Sequence, residues 1–120
     1  MENSSSDKFF KQRLEIIDIL APEHIELKKH VILFPPMPCC AQLAAPFWAK
    51  IKGIVENKDA KEYLIEIAVS LYDDHRTEIK KCAETMFLES KRTSEFDIQI
   101  PHLTPMPSMY SIKINIVEEV

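Results

Sequence analysis

Alternation of hydrophobic and polar residues with a period of two is the dominant pattern of the chain, and it predicts β-strands. The clearest run contains five apolar residues at every second position: Tyr63, Ile65, Ile67, Val69 and Leu71. A strand places such residues on one face, whereas a helix would place residues 63, 65 and 67 on different sides. The opposite row is mostly polar or small: Leu64, Glu66, Ala68 and Ser70. The run therefore predicts a strand with its apolar row on one face.

Other segments alternate in the same way or carry turn residues. Alternating rows occur at Ala49, Ile51 and Gly53, at Phe96, Ile98 and Ile100, and at Tyr110, Ile112, Ile114 and Ile116. Residues 14–20 are short and β-branched, residues 24–27 alternate as a strand would, and we expect the two segments to form a hairpin. Polar turns are predicted at 57–59 and 73–76, and a helical turn within 83–95. The count is roughly seven short strands, which is typical of a mainly β fold, a small barrel or sandwich with one or two short helices (α+β).

Length and composition fit a single domain. The chain has 120 residues, of which 46% are hydrophobic and 28% charged, and one core usually serves about 100–150 residues. Residues 1–8 are polar and serine-rich, so we expect a disordered N-terminus followed by one domain over 9–120. No apolar run is long enough for a membrane-spanning helix, and no secretory signal is recognisable.

Charge and residue types exclude several classes of function. A net charge of -4 disfavours binding to nucleic acid through phosphate neutralisation. The single glycine, Gly53, cannot form a phosphate-binding glycine loop. The three cysteines, Cys39, Cys40 and Cys82, are an odd number without metal-ligand spacing and are expected to be reduced. We expect no enzyme, no metal and no cofactor.

Three segments occur in an order that resembles the Tudor domain. They are PCCAQL at 38–43, FWAKI at 47–51 and VSLYDDHRTEI at 69–79. The Tudor barrel reads C-x-A, then W-Y-R-A-x-V, then V-x-F-x-D-Y-G-N-x-E-x-V. The matching positions are Cys40, Ala41, Ala49, Ile51, Val69, Asp73, Glu78 and Ile79. Residues 13–103 resemble extended, divergent Tudor domains of germline piRNA-pathway proteins, which implies a small SH3-like Tudor barrel with flanking strands.

The resemblance also implies a binding site. Tudor domains that read methylated arginine or lysine hold the cation against aromatic ring faces. The corresponding positions in this chain are Leu43, Phe47, Leu71, Asp74 and Arg76. Only one of them is aromatic, and Arg76 would repel a cation, so the resemblance implies a degenerate cage. We expect the partner to bind the surface around that cage, including Trp48 and Tyr72.

The function implied by the resemblance is a non-catalytic adaptor in small-RNA silencing. Its partner would be a protein or peptide, such as an unmethylated or arginine-rich segment of a silencing factor. Its location would be cytoplasmic, in germ granules (nuage), with the nucleus as an alternative. Three other functions stay open. The first is a methylarginine reader, and the second is a small metal-dependent or nucleic-acid-binding protein. The third is an oligomerisation module that pairs through an edge strand containing Ile112, Ile114 and Ile116.

Overall fold

The structure, a computed structural model, describes residues 10–11, 14–34, 47–103 and 107–120. These residues form eight strands: β1 (Phe10–Lys11), β2 (Glu15–Leu20), β3 (Ile25–Phe34), β4 (Phe47–Asn57), β5 (Tyr63–Tyr72), β6 (Glu78–Leu88), β7 (Thr93–Leu103) and β8 (Met109–Glu119). The expectation of a mainly β fold is confirmed. The predicted short helices are wrong for the described residues, which contain strands and turns only.

The predicted helical turn within 83–95 is replaced by strand pairing. β6 pairs antiparallel with β5 along its length, from Glu78 opposite Tyr72 to Leu88 opposite Tyr63. A turn and the start of β7 follow. The apolar residues at 83, 86 and 87 suggested a helical side, but a long neighbouring strand offers the backbone a complete ladder, and this tertiary partner overrides local preference.

The strands form two four-stranded sheets. In the first sheet the order is β1-β3-β4-β7, and in the second it is β2-β8-β5-β6. Neighbours are antiparallel except β2 and β8, which are parallel. The predicted rows of β4, β5, β7 and β8 supply the core between the sheets: Ala49, Ile51, Ile65, Ile67, Val69, Ile98, Ile100, Ile112 and Ile114 are at most 2% exposed. Burial of each larger aliphatic side chain contributes about 1.5–3 kcal/mol.

Two predictions about strand neighbours are wrong. Segments 14–20 and 24–27 do not pair as a hairpin, because β2 belongs to the second sheet and β3 to the first. β8 is not an edge strand, since it lies between β2 and β5, and Ile112 and Ile114 are buried. Alternation reports which face of a strand is buried, but it carries no information about the neighbouring strand.

Asn57 holds together the short connections between the sheets at one end of the sandwich. Its side chain is completely buried. Its Nδ2 donates to the carbonyl oxygens of Lys61 at 2.8 Å and Glu89 at 3.2 Å, and its Oδ1 accepts from the Asp59 amide at 2.9 Å. One side chain therefore fixes both the β4–β5 and the β6–β7 connection.

In the described part of the chain there is no helix of the length and apolarity needed to cross a membrane.

Candidate functional site

The predicted binding-surface residues that the structure describes fall at one end of the sandwich. Leu43 and the side chain of Phe47 lie outside the described part of the structure. Trp48 is half-buried at the start of β4, where the register with β7 shifts between Phe47 and Ala49. Because β4 leads into β5 through a short connection, the start of β4 and the end of β5 lie at the same end of the molecule.

The side chain of Leu71 is buried instead of lying on the exposed surface. It is 1% exposed and packs in the core, so its assignment to the exposed surface is corrected here. Tyr72, the next residue, points to the opposite face and is half-buried. The physical reason is the strand period of two, which prevents consecutive residues from sharing one face.

Asp74 and Arg76 lie in the exposed turn between β5 and β6. Asp73 organises this turn, because its Oδ1 accepts the amides of His75 at 2.8 Å and Thr77 at 2.9 Å. These backbone hydrogen bonds lower the pKa of the Asp73 carboxyl below its ordinary value. Arg76 closes the turn with φ of 64°, a left-handed conformation that is uncommon for a residue with a Cβ.

A groove lies on the outward face of the second sheet, beginning at Tyr72. Ala68 and Ser70 of β5 point away from the core, yet they are only 6% and 8% exposed. Longer side chains from the neighbouring strands surround these two residues and form a cavity with a volume of about 330 Å³. We call this feature the β5 groove; it is lined by Asp18, Leu20, Glu66, Ala68, Ser70, Tyr72, Glu78, Lys81, Ser111, Lys113 and Asn115.

Hydroxyl groups form the middle of the β5 groove. Ser70 lies directly opposite Ser111 of β8 and Lys81 of β6, and Ser111 lies opposite Asp18 of β2. One row across the sheet therefore reads carboxylate, hydroxyl, hydroxyl, ammonium. The Tyr72 hydroxyl is 3.2 Å from Ser111 Oγ and extends the row towards the end of the strand.

The chemistry of the β5 groove suits hydrogen bonding to a polar ligand. Hydroxyl groups both donate and accept, and the amide of Asn115 adds further donors and an acceptor. Its charged groups are of both signs, namely Asp18, Glu66, Glu78, Lys81 and Lys113. Among the residues that the structure describes, no group of three or more His, Cys, Asp or Glu side chains could hold a metal ion.

The sequence analysis identified Tyr72 but missed the rest of the β5 groove. The available signal was the outward row of β5, in which Ala68 and Ser70 are unusually small. A small side chain between long ones on neighbouring strands produces a depression, but the neighbours become known only when the sheet order is known.

Comparisons with known proteins leave the family of the chain open. No protein-family model matches the sequence, and no curated protein shows significant similarity to it.

Proposed function

We propose that this protein is a non-catalytic interaction module that holds an extended segment of a partner protein in the β5 groove. The observation that carries the proposal is the low exposure of Ala68 and Ser70 on a face directed away from the core. Small residues at the centre of a sheet face let the backbone of a ligand approach closely, while the longer residues on both sides confine it.

A polypeptide is the ligand that fits this chemistry best. Ser70, Ser111 and Tyr72 can exchange hydrogen bonds with backbone amides and carbonyls. The volume of about 330 Å³ is at the lower end of the range of small-ligand pockets, roughly 300–1,000 Å³, and accommodates a few side chains. Charges of both signs favour a mixed polar segment over a polyanion.

More specifically, we propose that the module is a Tudor-like adaptor with a degenerate cage, which acts in germline small-RNA silencing in the cytoplasm. Its support is the order of the three sequence segments together with the all-β architecture. The burial of Leu71, one of the transferred cage positions, favours a partner that binds without an aromatic cage over a methylarginine reader. An aromatic cage combines several rings, whereas three surface pockets of the described residues each include a single Phe, Tyr or Trp.

The test fills the β5 groove without changing the core. Linear peptides are selected from a displayed random library with the wild-type protein, and their affinities are compared with those for Ser70→Tyr. Because the new ring points outward into the groove, we expect at least tenfold weaker binding, about 1.4 kcal/mol, with an unchanged midpoint of thermal unfolding. The matched control is Gln99→Tyr, an exposed residue between the buried Ile98 and Ile100 of β7 in the other sheet, which should bind as the wild type does.

Two results would overturn the groove assignment: selection of no peptide, or equal binding of the selected peptides to Ser70→Tyr. A further arm compares arginine peptides with and without methyl groups. Preference for the methylated form would replace the degenerate-cage proposal by the methylarginine reader.

A further inference from the structure

The edge strand β2 is a second surface with unusual properties. β2 pairs with β8 on one side, and within the described ranges no strand pairs with its other side. A free strand edge presents unpaired N–H and C=O groups that can pair with another chain. The backbone of β2 is therefore available for strand addition.

The side chains of β2 are apolar but exposed. Ile16 is 46% exposed, Ile19 38% and Leu20 51%. The register with β8 puts Ile16 and Ile19 opposite Tyr110 and Ile112, on the core-side face, and puts Leu20 opposite Lys113, on the outward face. Exposed apolar side chains therefore lie on both faces beside the free backbone edge, and exposed apolar surface of this kind marks interaction sites more often than isolated apolar residues do.

The other edge strands carry the residues that usually prevent strand addition. β1 contains Lys11, β6 contains Lys80 and Lys81, and β7 contains Pro101. Lysine disfavours a strand neighbour through its charge and solvation, and proline removes a backbone donor. β2 contains neither, so it is the least protected edge of the two sheets as described.

The charges of β2 indicate what kind of segment would pair with it. Its charged residues are Glu15 and Asp18, both exposed, and it contains no basic residue. Two copies of β2 would bring four such carboxylates into one seam, and the net charge of -4 adds repulsion between whole molecules. Like charges that face each other across strands are destabilising, and opposite charges are favourable.

We propose that β2 binds a basic, extended segment of another protein by strand addition, with apolar residues against Ile16 and Ile19 on one face and lysine or arginine residues near Glu15 and Asp18 on the other. Backbone hydrogen bonds supply affinity in this mode, and alternate side chains supply specificity. The surface shares only Asp18 and Leu20 with the β5 groove.

The experiment uses the full chain and a defined probe, a fluorescent peptide of about eight residues that alternates lysine and valine. Fluorescence anisotropy measures its affinity for the wild type and for Glu15→Lys/Asp18→Lys. We expect binding to weaken about tenfold or more in the double variant and to weaken with added salt. Hydrogen exchange of the β2 amides should slow when the peptide binds.

Matched controls separate this proposal from its alternatives. Glu84→Lys reverses an exposed charge on the opposite edge strand of the same sheet and should bind the probe normally. Ser70→Tyr fills the β5 groove and should also bind it normally, so failure at one surface is distinguishable from failure at the other. Equal weakening in Glu84→Lys, or unchanged binding in the double variant, would disprove strand addition at β2. A wild-type dimer that Ile19→Lys dissociates would assign the edge to a second copy instead.

Discussion

The ring of Phe96 occupies the space that a side chain at Gly53 would need. The two residues lie directly opposite each other in the β4–β7 pair. A Cβ placed on Gly53 would be 2.6 Å from Phe96 Cζ and 2.7 Å from the carbonyl oxygen of Lys29. Packing thus requires the single glycine of the chain. The Phe96 ring lies against the Gly53 backbone, where any other residue would have a side chain.

Replacement of this glycine should destabilise the fold. We expect Gly53→Ala to lower the free energy of unfolding by about 1–3 kcal/mol, the usual cost of overpacking, as measured by chemical denaturation. In the Gly53→Ala background, Phe96→Leu should cost less than it does in the wild type, because the smaller side chain relieves the clash. Additive effects of the two substitutions would contradict the proposed contact.

Asn57 should be the polar residue of the described core that tolerates substitution least. Asn57→Ala leaves the carbonyl oxygens of Lys61 and Glu89 and the amide of Asp59 without their present partner. We expect a loss of about 2–3 kcal/mol in the free energy of unfolding, because buried polar groups without partners are costly. Lys61→Ala removes an exposed side chain whose ammonium lies 3.2 Å from the Glu119 carboxylate; because exposed ion pairs contribute little, it should stay within about 0.5 kcal/mol of the wild type.

The turn after β5 contains a position where glycine should be better than the native residue. Arg76 has φ of 64°, a conformation that costs an L-residue about 1–2 kcal/mol. We expect Arg76→Gly to raise the free energy of unfolding by roughly 1 kcal/mol, after the larger backbone entropy of glycine in the unfolded chain is included. The gain should appear as a higher midpoint of urea unfolding. Arg76→Ala keeps the Cβ and should bring no such gain; an equal gain would assign the effect to the arginine side chain.

His30 should make stability dependent on pH. Its Nε2 is 2.7 Å from the Tyr110 hydroxyl of the facing sheet, and burial lowers the pKa of its ring below 6.5. Between that ordinary value and the lower folded value, the unfolded chain binds a proton that the folded chain does not. The free energy of unfolding should therefore fall as pH drops below about 6.5 and be insensitive to His30 above it.

The measurement is a series of denaturation midpoints across that interval. His30→Gln should flatten the dependence just below pH 6.5, whereas His75→Gln, an exposed residue of the β5–β6 turn, should leave it unchanged. The pKa of the Asp73 carboxyl is lowered, so its contribution to the free energy of unfolding is lost only at more acidic pH. The effects of His30 and Asp73 are therefore separable. A wild-type profile that stays flat until the carboxyl range would refute the role of His30.

Much of the architecture was predictable from local pattern. The period-two rows of β4, β5, β7 and β8 identified the strands and their buried faces, because a strand must alternate when one face is dry. The turn at 73–76 was recognisable from its polar residues.

Other properties were decided only by tertiary structure. Whether 83–88 formed a helical turn or a strand depended on the long partner β5, and whether β8 lay at an edge depended on β2 docking beside it. The β5 groove arises because Ala68 and Ser70 lie among longer residues from three other strands. The sequence determined which face of each strand is buried, since this follows from the strand's own residues. Strand pairing brings together residues that are far apart in the chain. Only this pairing created the β5 groove and left β2 with an open edge.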